Sequence, residues 1–256
     1  PGLTLSNLSS GSEADWKAFA AANPGGFYAT MDAELPGRVP ALPSGPLNRL
    51  YPSPAPAAAD PWTFSSLSRL DTDYRDFFDR DLGTSYAQAM LAGAARAGAA
   101  GGLSGADLER LRLAAVLDPD LPDAPLYEGF YFSSRGDWGR ARGCFRASAD
   151  IYERLLALSE EYHSLPSLKD GLASSSAYAW LNYGVALEKT GDRGAAEDAY
   201  LKAAARNPRL ADAHFNLAIL YWNRDWSRVR QELSETLRIN PAHAAAAGYL
   251  RQIINR

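Results

Sequence analysis

The stretch AYAWLNYGVALEKTGDRGAAEDAYLKAAARNP, residues 177–208, decides the fold of the chain. Its apolar and small residues recur every three to four positions on both sides of a Gly-Asp turn: Trp180, Gly184, Leu187, Ala196, Tyr200 and Ala203. This spacing places each half of the set on one face of an α-helix. The stretch therefore predicts two short helices that pack face to face, with the small residues allowing the two backbones to approach closely.

The turn and the end of this unit carry their own signals. Gly191 can take the left-handed conformation that ends a helix, and Asp192 is placed to cap the next helix. Pro208 then closes the unit. A single helix pair cannot bury its apolar faces alone, so the pattern predicts neighbouring units.

Related copies of the pattern lie on both sides of the central unit. Residues 211–241 repeat it one residue short, with a turn that lacks the glycine. Residues 124–155 repeat it without a closing proline, which predicts a second helix that continues to about Tyr162. Residues 86–124 contain a more degenerate copy.

These units resemble tetratricopeptide repeats, whose pattern is W-x2-L-G-x2-Y, A-x3-F and a closing P. The central unit matches it nearly in full, at Trp180, Gly184, Ala196, Tyr200 and Pro208. The resemblance covers about residues 84–244, at close to the family's ~34-residue period. It implies a mainly α-helical solenoid whose first helices line a concave surface that binds proteins or peptides.

The predicted fold is a tetratricopeptide-repeat helical solenoid preceded by a small α/β module. We expect the module and a proline-rich linker in residues 1–60 and a docking segment in residues 61–83. Residues 84–256 are expected to form three to four repeats and a solvent-facing capping helix from residue 242, with repeat bounds at 84–121 (degenerate), 122–165, 177–210 and 211–243.

The first sixty residues differ in composition from the repeats. Residues 1–61 contain ten of the sixteen prolines in the chain. Residues 3–8 and 25–32 are predicted strands flanking a helix at 12–23, an order that indicates a parallel βαβ unit. A third strand is predicted at residues 45–52, after a proline-rich turn.

Composition excludes several classes of function. The chain has 256 residues and a net charge of −4, without the basic stripe that nucleic acid requires. No apolar run approaches the ~20 residues needed to cross a bilayer, so we expect no membrane insertion by this part of the protein. His163, His214 and His243 lie far apart in sequence, and Cys144 has no neighbour that would activate it. We therefore expect a protein that is not an enzyme and holds no metal or cofactor.

The resemblance also indicates which residues would contact a bound peptide. In tetratricopeptide repeats, fixed positions of each first helix point into the concave face. Carried over to this chain, those positions are Leu126, Tyr127, Phe130, Tyr178, Leu181, Asn182, Val185, Lys189, Phe215, Asn216, Ile219 and Trp222.

Two features of this set have alternative interpretations. Asn182 and Asn216 occupy the same position in consecutive repeats and could pair with a peptide backbone, although asparagine is also common there without that role. Phe130, Phe215 and Trp222 form a binding surface only if neither the N-terminal module nor the long helix at 139–162 covers them.

A second resemblance concerns the whole chain. Its order of segments is similar to the soluble C-terminal region of bacterial multi-spanning membrane proteins of the glycosyltransferase C, protein O-mannosyltransferase-like, superfamily. The motifs that carry it are FYATMD, LPSGPLNRLYP and the tyrosine-rich segment before the repeats. That resemblance implies an accessory domain on the extracytoplasmic face of a bacterial membrane, tethered through a preceding membrane region. Without it, a cytoplasmic location is expected.

Overall fold

The computed structural model describes residues 77–162 and 164–254, together with residue 18 and three short strands. The chain divides into two compact units, Pro1–Pro119 and Asp120–Arg256. The described residues are mainly α-helical, as the repeat pattern predicts. None of the described helices is long and apolar enough to span a membrane.

The strands of the first unit form an antiparallel sheet. They are β1 (Phe27–Thr30), β2 (Ala41–Ser44) and β3 (Leu47–Leu50), in the order β1-β3-β2. Strands β1 and β3 fall inside two predicted strands, whereas β2 occupies residues expected to form a turn. Pro43 is tolerated in β2 because this strand lies at one end of the described sheet. The predicted strand at 3–8, and with it the parallel pairing, lies outside the described residues.

Two helices complete the described part of the first unit. Helix α1 spans Phe77–Ala100 and packs against α2, Gly105–Leu117. A capping box begins α2: the Asp107 amide donates to the Ser104 hydroxyl at 3.2 Å, and the Ser104 amide donates to the Asp107 carboxylate at 2.9 Å. Helix α1 thus begins inside the predicted docking segment, of which residues 61–76 lie outside the described residues.

The second unit consists, in its described residues, of helices that pack in antiparallel pairs. In chain order they are α3 (Asp123–Ser133), α4 (Trp138–Glu161), α5 (Pro166–Lys189), α6 (Arg193–Arg206), α7 (Ala211–Tyr221), α8 (Trp226–Ile239) and α9 (Ala244–Ile254). Helix α4 ends within one residue of its predicted end at Tyr162.

Each helix pair is joined by the same turn chemistry. Gly136 and Gly191 take left-handed conformations, with φ of 77° and 89°. Asn223, with φ of 63°, takes this role in the turn that lacks a glycine, because asparagine tolerates the left-handed region better than most residues. An aspartate then caps the second helix in all three turns: Asp137, Asp192 and Asp225.

In two of the three helix pairs, an aromatic ring fills the space above a glycine. The Tyr200 ring of α6 lies against Gly184 of α5, and the Phe145 ring of α4 lies against Gly129 of α3. Trp180 and Leu187 are buried in the same cluster as Tyr200. The residues that define the repeat in the sequence are therefore its packing residues.

Two adjacent helices of the second unit are much longer than its other helices. Helices α4 and α5 have 24 residues each, compared with 14 in α6 and 11 in α7. Helix α5 begins at Pro166, well before the predicted start of its repeat at Ala177. The extra turns of α4 and α5 lie side by side, so they form a hairpin that extends past the regular repeat.

Candidate binding surface

The exposed face of α5 carries four of the predicted binding residues. Tyr178, Asn182, Val185 and Lys189 follow one another at spacings of three to four residues and therefore share one side of the helix. The Tyr178 side chain is 50% exposed. Lys189 is exposed, and Asn182 and Val185 are half-buried. An aromatic ring, an amide and a cation are thus presented to solvent together.

Leu181 does not belong to this surface. It is only 8% exposed and belongs to the core cluster that contains Trp180 and Leu217. The expectation that Leu181 faces a ligand is therefore corrected. Leu181 lies about 100° around the helix from Trp180, which places it at the edge of the buried side rather than on the open side.

Helix α3 contributes a smaller aromatic group. The rings of Tyr127 and Phe130 meet edge to face with their centroids 5.9 Å apart. Phe130 also contacts Phe145, at 5.5 Å, and keeps 37% of its surface exposed. Tyr127 and the nearby Leu126 are half-buried.

The predicted aromatic residues of α7 are half-buried and contact the C-terminal helix. Tyr249 of α9 lies 5.1 Å from Trp222 and 6.1 Å from Phe215, measured between ring centroids. The His243 ring also contacts Phe215, with the centroids 4.6 Å apart and the rings tilted by 39°. Helix α9 thus faces α7 through Tyr249 and buries Ala246, whereas Ala244, Ala245 and Arg251 of the same helix are exposed.

The two predicted asparagines differ in their hydrogen bonds. The Asn182 Nδ2 donates to the Tyr178 carbonyl of the preceding turn at 2.7 Å. This bond orients the amide and leaves its oxygen as an acceptor. Within the described part of the chain, the half-buried Asn216 side chain makes no hydrogen bond. Ile219, one turn later on α7, is also half-buried.

A cavity that sequence reasoning missed lies on the other side of α5. It has a volume of about 340 Å³, and it is bounded by side chains of α4, α5 and α6: Arg146, Asp150, Glu153, Trp180, Lys202, Ala205 and Arg206. Within α4 and within α6 the lining residues follow the spacing of one helix face. Spacing within a helix does not show which faces of three helices meet, so the sequence alone does not indicate the cavity.

The histidines take part in local contacts. His214 Nδ1 lies 2.8 Å from the Glu232 carboxylate, and His243 Nδ1 accepts a hydrogen bond from the Ala246 amide at 3.1 Å. Among the described residues, no three His, Cys, Asp or Glu side chains are grouped as a metal site. His163 lies outside the described residues.

No protein-family model and no curated protein matches this chain. Among solved structures, YrrB, "a TPR protein with an unusual peptide-binding site", matches with a TM-score of 0.32 and 16% identity, covering 68% of this chain and 92% of that chain. MamA protein matches with a TM-score of 0.47 and 17% identity, covering 68% and 87%. PilF of Pseudomonas aeruginosa matches with a TM-score of 0.34 and 14% identity, covering 68% and 88%. Nothing in these matches supports the resemblance to glycosyltransferase C proteins.

Proposed function

We propose that this chain is a non-catalytic scaffold domain that binds a protein or peptide partner on the open face of α3 and α5. The observation that carries the proposal is the arrangement of Tyr178, Asn182 and Lys189 along one exposed side of α5. Trp180 and Leu187, on other sides of the same helix, belong to the buried core cluster. One helix thus separates a packing face from a face free to bind.

The chemistry of this face suits an extended peptide. Tyrosine contributes a large contact area at a low cost in conformational entropy, and an amide can accept from a backbone N–H whatever the side chains of the peptide. The exposed edge of Phe130 extends the aromatic surface onto α3. Phe215 and Trp222 are placed outside the centre of the proposed surface because their rings pack against Tyr249.

The test uses peptides of known sequence. Peptides selected from a phage-displayed library on the purified chain are synthesised, and their Kd is measured by fluorescence polarisation. Replacing Tyr178 or Asn182 with alanine should weaken binding by about five- to thirtyfold, as expected for loss of an interface contact worth about 1–2 kcal/mol. Leu201→Ala provides the control, because Leu201 is equally exposed but lies on α6. Peptides that bind the Tyr178 and Asn182 variants as tightly as the wild type would contradict the proposal.

A further inference from the structure

The cavity between α4, α5 and α6 opens on the side of α5 opposite the proposed peptide surface. Its wall includes Trp180, whereas Tyr178 is two residues away on the same helix. Residues two apart on an α-helix point about 200° away from each other. A ligand in this cavity would therefore leave the Tyr178 face free.

The two carboxylates of the cavity are already paired. Asp150 accepts from the Arg146 Nε with both oxygens, at 2.9 and 2.8 Å. Glu153 accepts from the Ser176 hydroxyl at 2.8 Å, the Trp180 indole at 2.9 Å and the Arg206 Nε at 3.0 Å. Neither carboxylate thus needs a further cation to balance its charge.

The hydrogen bonds also keep Glu153 ionised. Partial burial raises the pKa of this carboxyl, but the bonds from Arg206, Trp180 and Ser176 outweigh burial and hold the pKa below its usual value. The Glu153–Arg206 pair is therefore charged and neutral overall at physiological pH. Arg146 and Asp150 form a second neutral pair.

After these two neutral pairs are counted, Lys202 is the one charged residue of the cavity lining that has no oppositely charged partner in the described part of the chain. Its Nζ lies 4.3 Å from the centroid of the Trp180 ring, and the Arg146 guanidinium lies 5.2 Å from the same centroid. Among the described residues, no carboxylate lies within ion-pair distance of Lys202. The ammonium group is held over the ring by a cation–π contact, with N–H donors that no protein acceptor uses.

We propose that this cavity binds the carboxylate of an acidic side chain on a partner polypeptide. Cations already occupy the Trp180 ring, so a positively charged guest would be repelled. The single uncompensated charge of Lys202 matches a carboxylate, whereas a phosphate carries about −1.5 to −2 charges. A volume of about 340 Å³ lies at the lower end of ligand pockets, which favours one or two side chains over a larger cofactor.

The experiment follows the Trp180 indole N–H by two-dimensional ¹H–¹⁵N NMR on the full chain. The probe is a blocked Gly-Glu-Gly peptide, compared with its Gly-Gln-Gly counterpart. We expect the acidic peptide to shift the indole signal with saturation and the amide peptide to leave it in place. Raising the salt concentration should weaken the acidic peptide's binding, since the contact depends on charge.

Substitutions then assign the binding to Lys202. Lys202→Gln should weaken binding by at least about fivefold, consistent with loss of a charged hydrogen bond. Lys202→Arg should retain it. Lys169→Gln is the matched control, because it removes the same charge from α5 outside the cavity lining.

Three results would overturn the proposal. They are equal shifts with the acidic and amide peptides, unchanged affinity in Lys202→Gln, and saturation by inorganic phosphate at lower concentration than by the acidic peptide. The peptide comparison on the wild-type protein needs no substitution, so it stands even if a variant folds poorly. Since the Trp180 signal reports on the cavity side of α5, a negative result leaves the proposed function of the Tyr178 face intact.

Discussion

The Tyr200 ring packs so closely on Gly184 that a Cβ atom at position 184 would lie 2.4 Å from the ring's Cε1. Tyr200 is fully buried, and its hydroxyl donates to the Glu188 carboxylate at 2.5 Å. The ring is therefore held from its side and from its end. The same relationship, also at 2.4 Å, joins Gly129 and Phe145 in the preceding helix pair.

Gly184→Ala should destabilise the protein by about 1–3 kcal/mol, the usual cost of overpacking a core. The alanine methyl group would displace a ring that has no free space, and this cost exceeds the ~1 kcal/mol that alanine gains over glycine in a helix. Urea unfolding followed by circular dichroism measures the change. Gly143→Ala is the matched control: no atom lies within 4 Å of its Cβ position, so we expect it to stabilise α4 by about 0.5–1 kcal/mol. Equal effects of the two substitutions would contradict the packing argument.

Stability should fall as the pH rises above 10. Burial raises the pKa of three tyrosines, and a hydrogen bond to a carboxylate raises each further; the tyrosine–carboxylate pairs are Tyr152–Asp123, Tyr200–Glu188 and Tyr221–Glu197. An unfolded tyrosine ionises near pH 10, whereas these three keep their protons to higher pH in the folded chain. The folded state then binds more protons than the unfolded state, so the free energy of unfolding decreases with increasing pH.

Urea midpoints between pH 8 and pH 11.5 test this prediction, with tyrosinate absorbance recorded in parallel. Tyr200→Phe should reduce the slope above pH 10, because one of the groups that cause it is gone. An identical slope in the variant would rule out Tyr200 as a source of the effect.

Tyr249→Ala should destabilise the C-terminal repeat by about 1–3 kcal/mol. The ring contacts both Trp222 and Phe215, and aromatic pairs are worth about 0.5–1.5 kcal/mol each beyond the area they bury. Its loss would also admit water to Trp222, so we expect a red shift in tryptophan emission. Tyr178→Ala is the control for stability, since its half-exposed ring should cost less than about 0.5 kcal/mol. A Tyr249 variant as stable as the wild type would mean that α9 does not hold the aromatic group.

The sequence predicts the packing residues better than the surface. Trp180, Gly184 and Tyr200 are identified by spacing because helix periodicity fixes which residues meet. Leu181 was predicted incorrectly, because it lies at the edge of the buried side of α5 and packs into the core cluster. Burial at the edge of a helix face depends on neighbours that spacing does not encode.

The early start of α5 was also outside what periodicity could predict. Gly171 and the serines at 174–176 are weak helix formers, so helix propensity alone does not predict a helix there. Packing against α4 overrides that preference. Pro166 was the available signal, because proline is favoured in the first turn of a helix. The cavity at Lys202 could not be predicted from helix spacing, because spacing does not show which faces of α4, α5 and α6 meet in the fold.

The long hairpin of α4 and α5 determines how the second unit would come apart. Helix α4 belongs to one repeat and α5 to the next, yet their shared interface is as extensive as that within a repeat, while α6 and α7 share a smaller one. In a repeat array, stability is close to a sum of repeat and nearest-neighbour terms. We therefore expect helices α3 to α6 to unfold as one cooperative unit. Under increasing denaturant, we expect α7 to α9 to unfold first, with the break at the junction of α6 and α7. The proposed peptide surface and the Lys202 cavity would then remain folded.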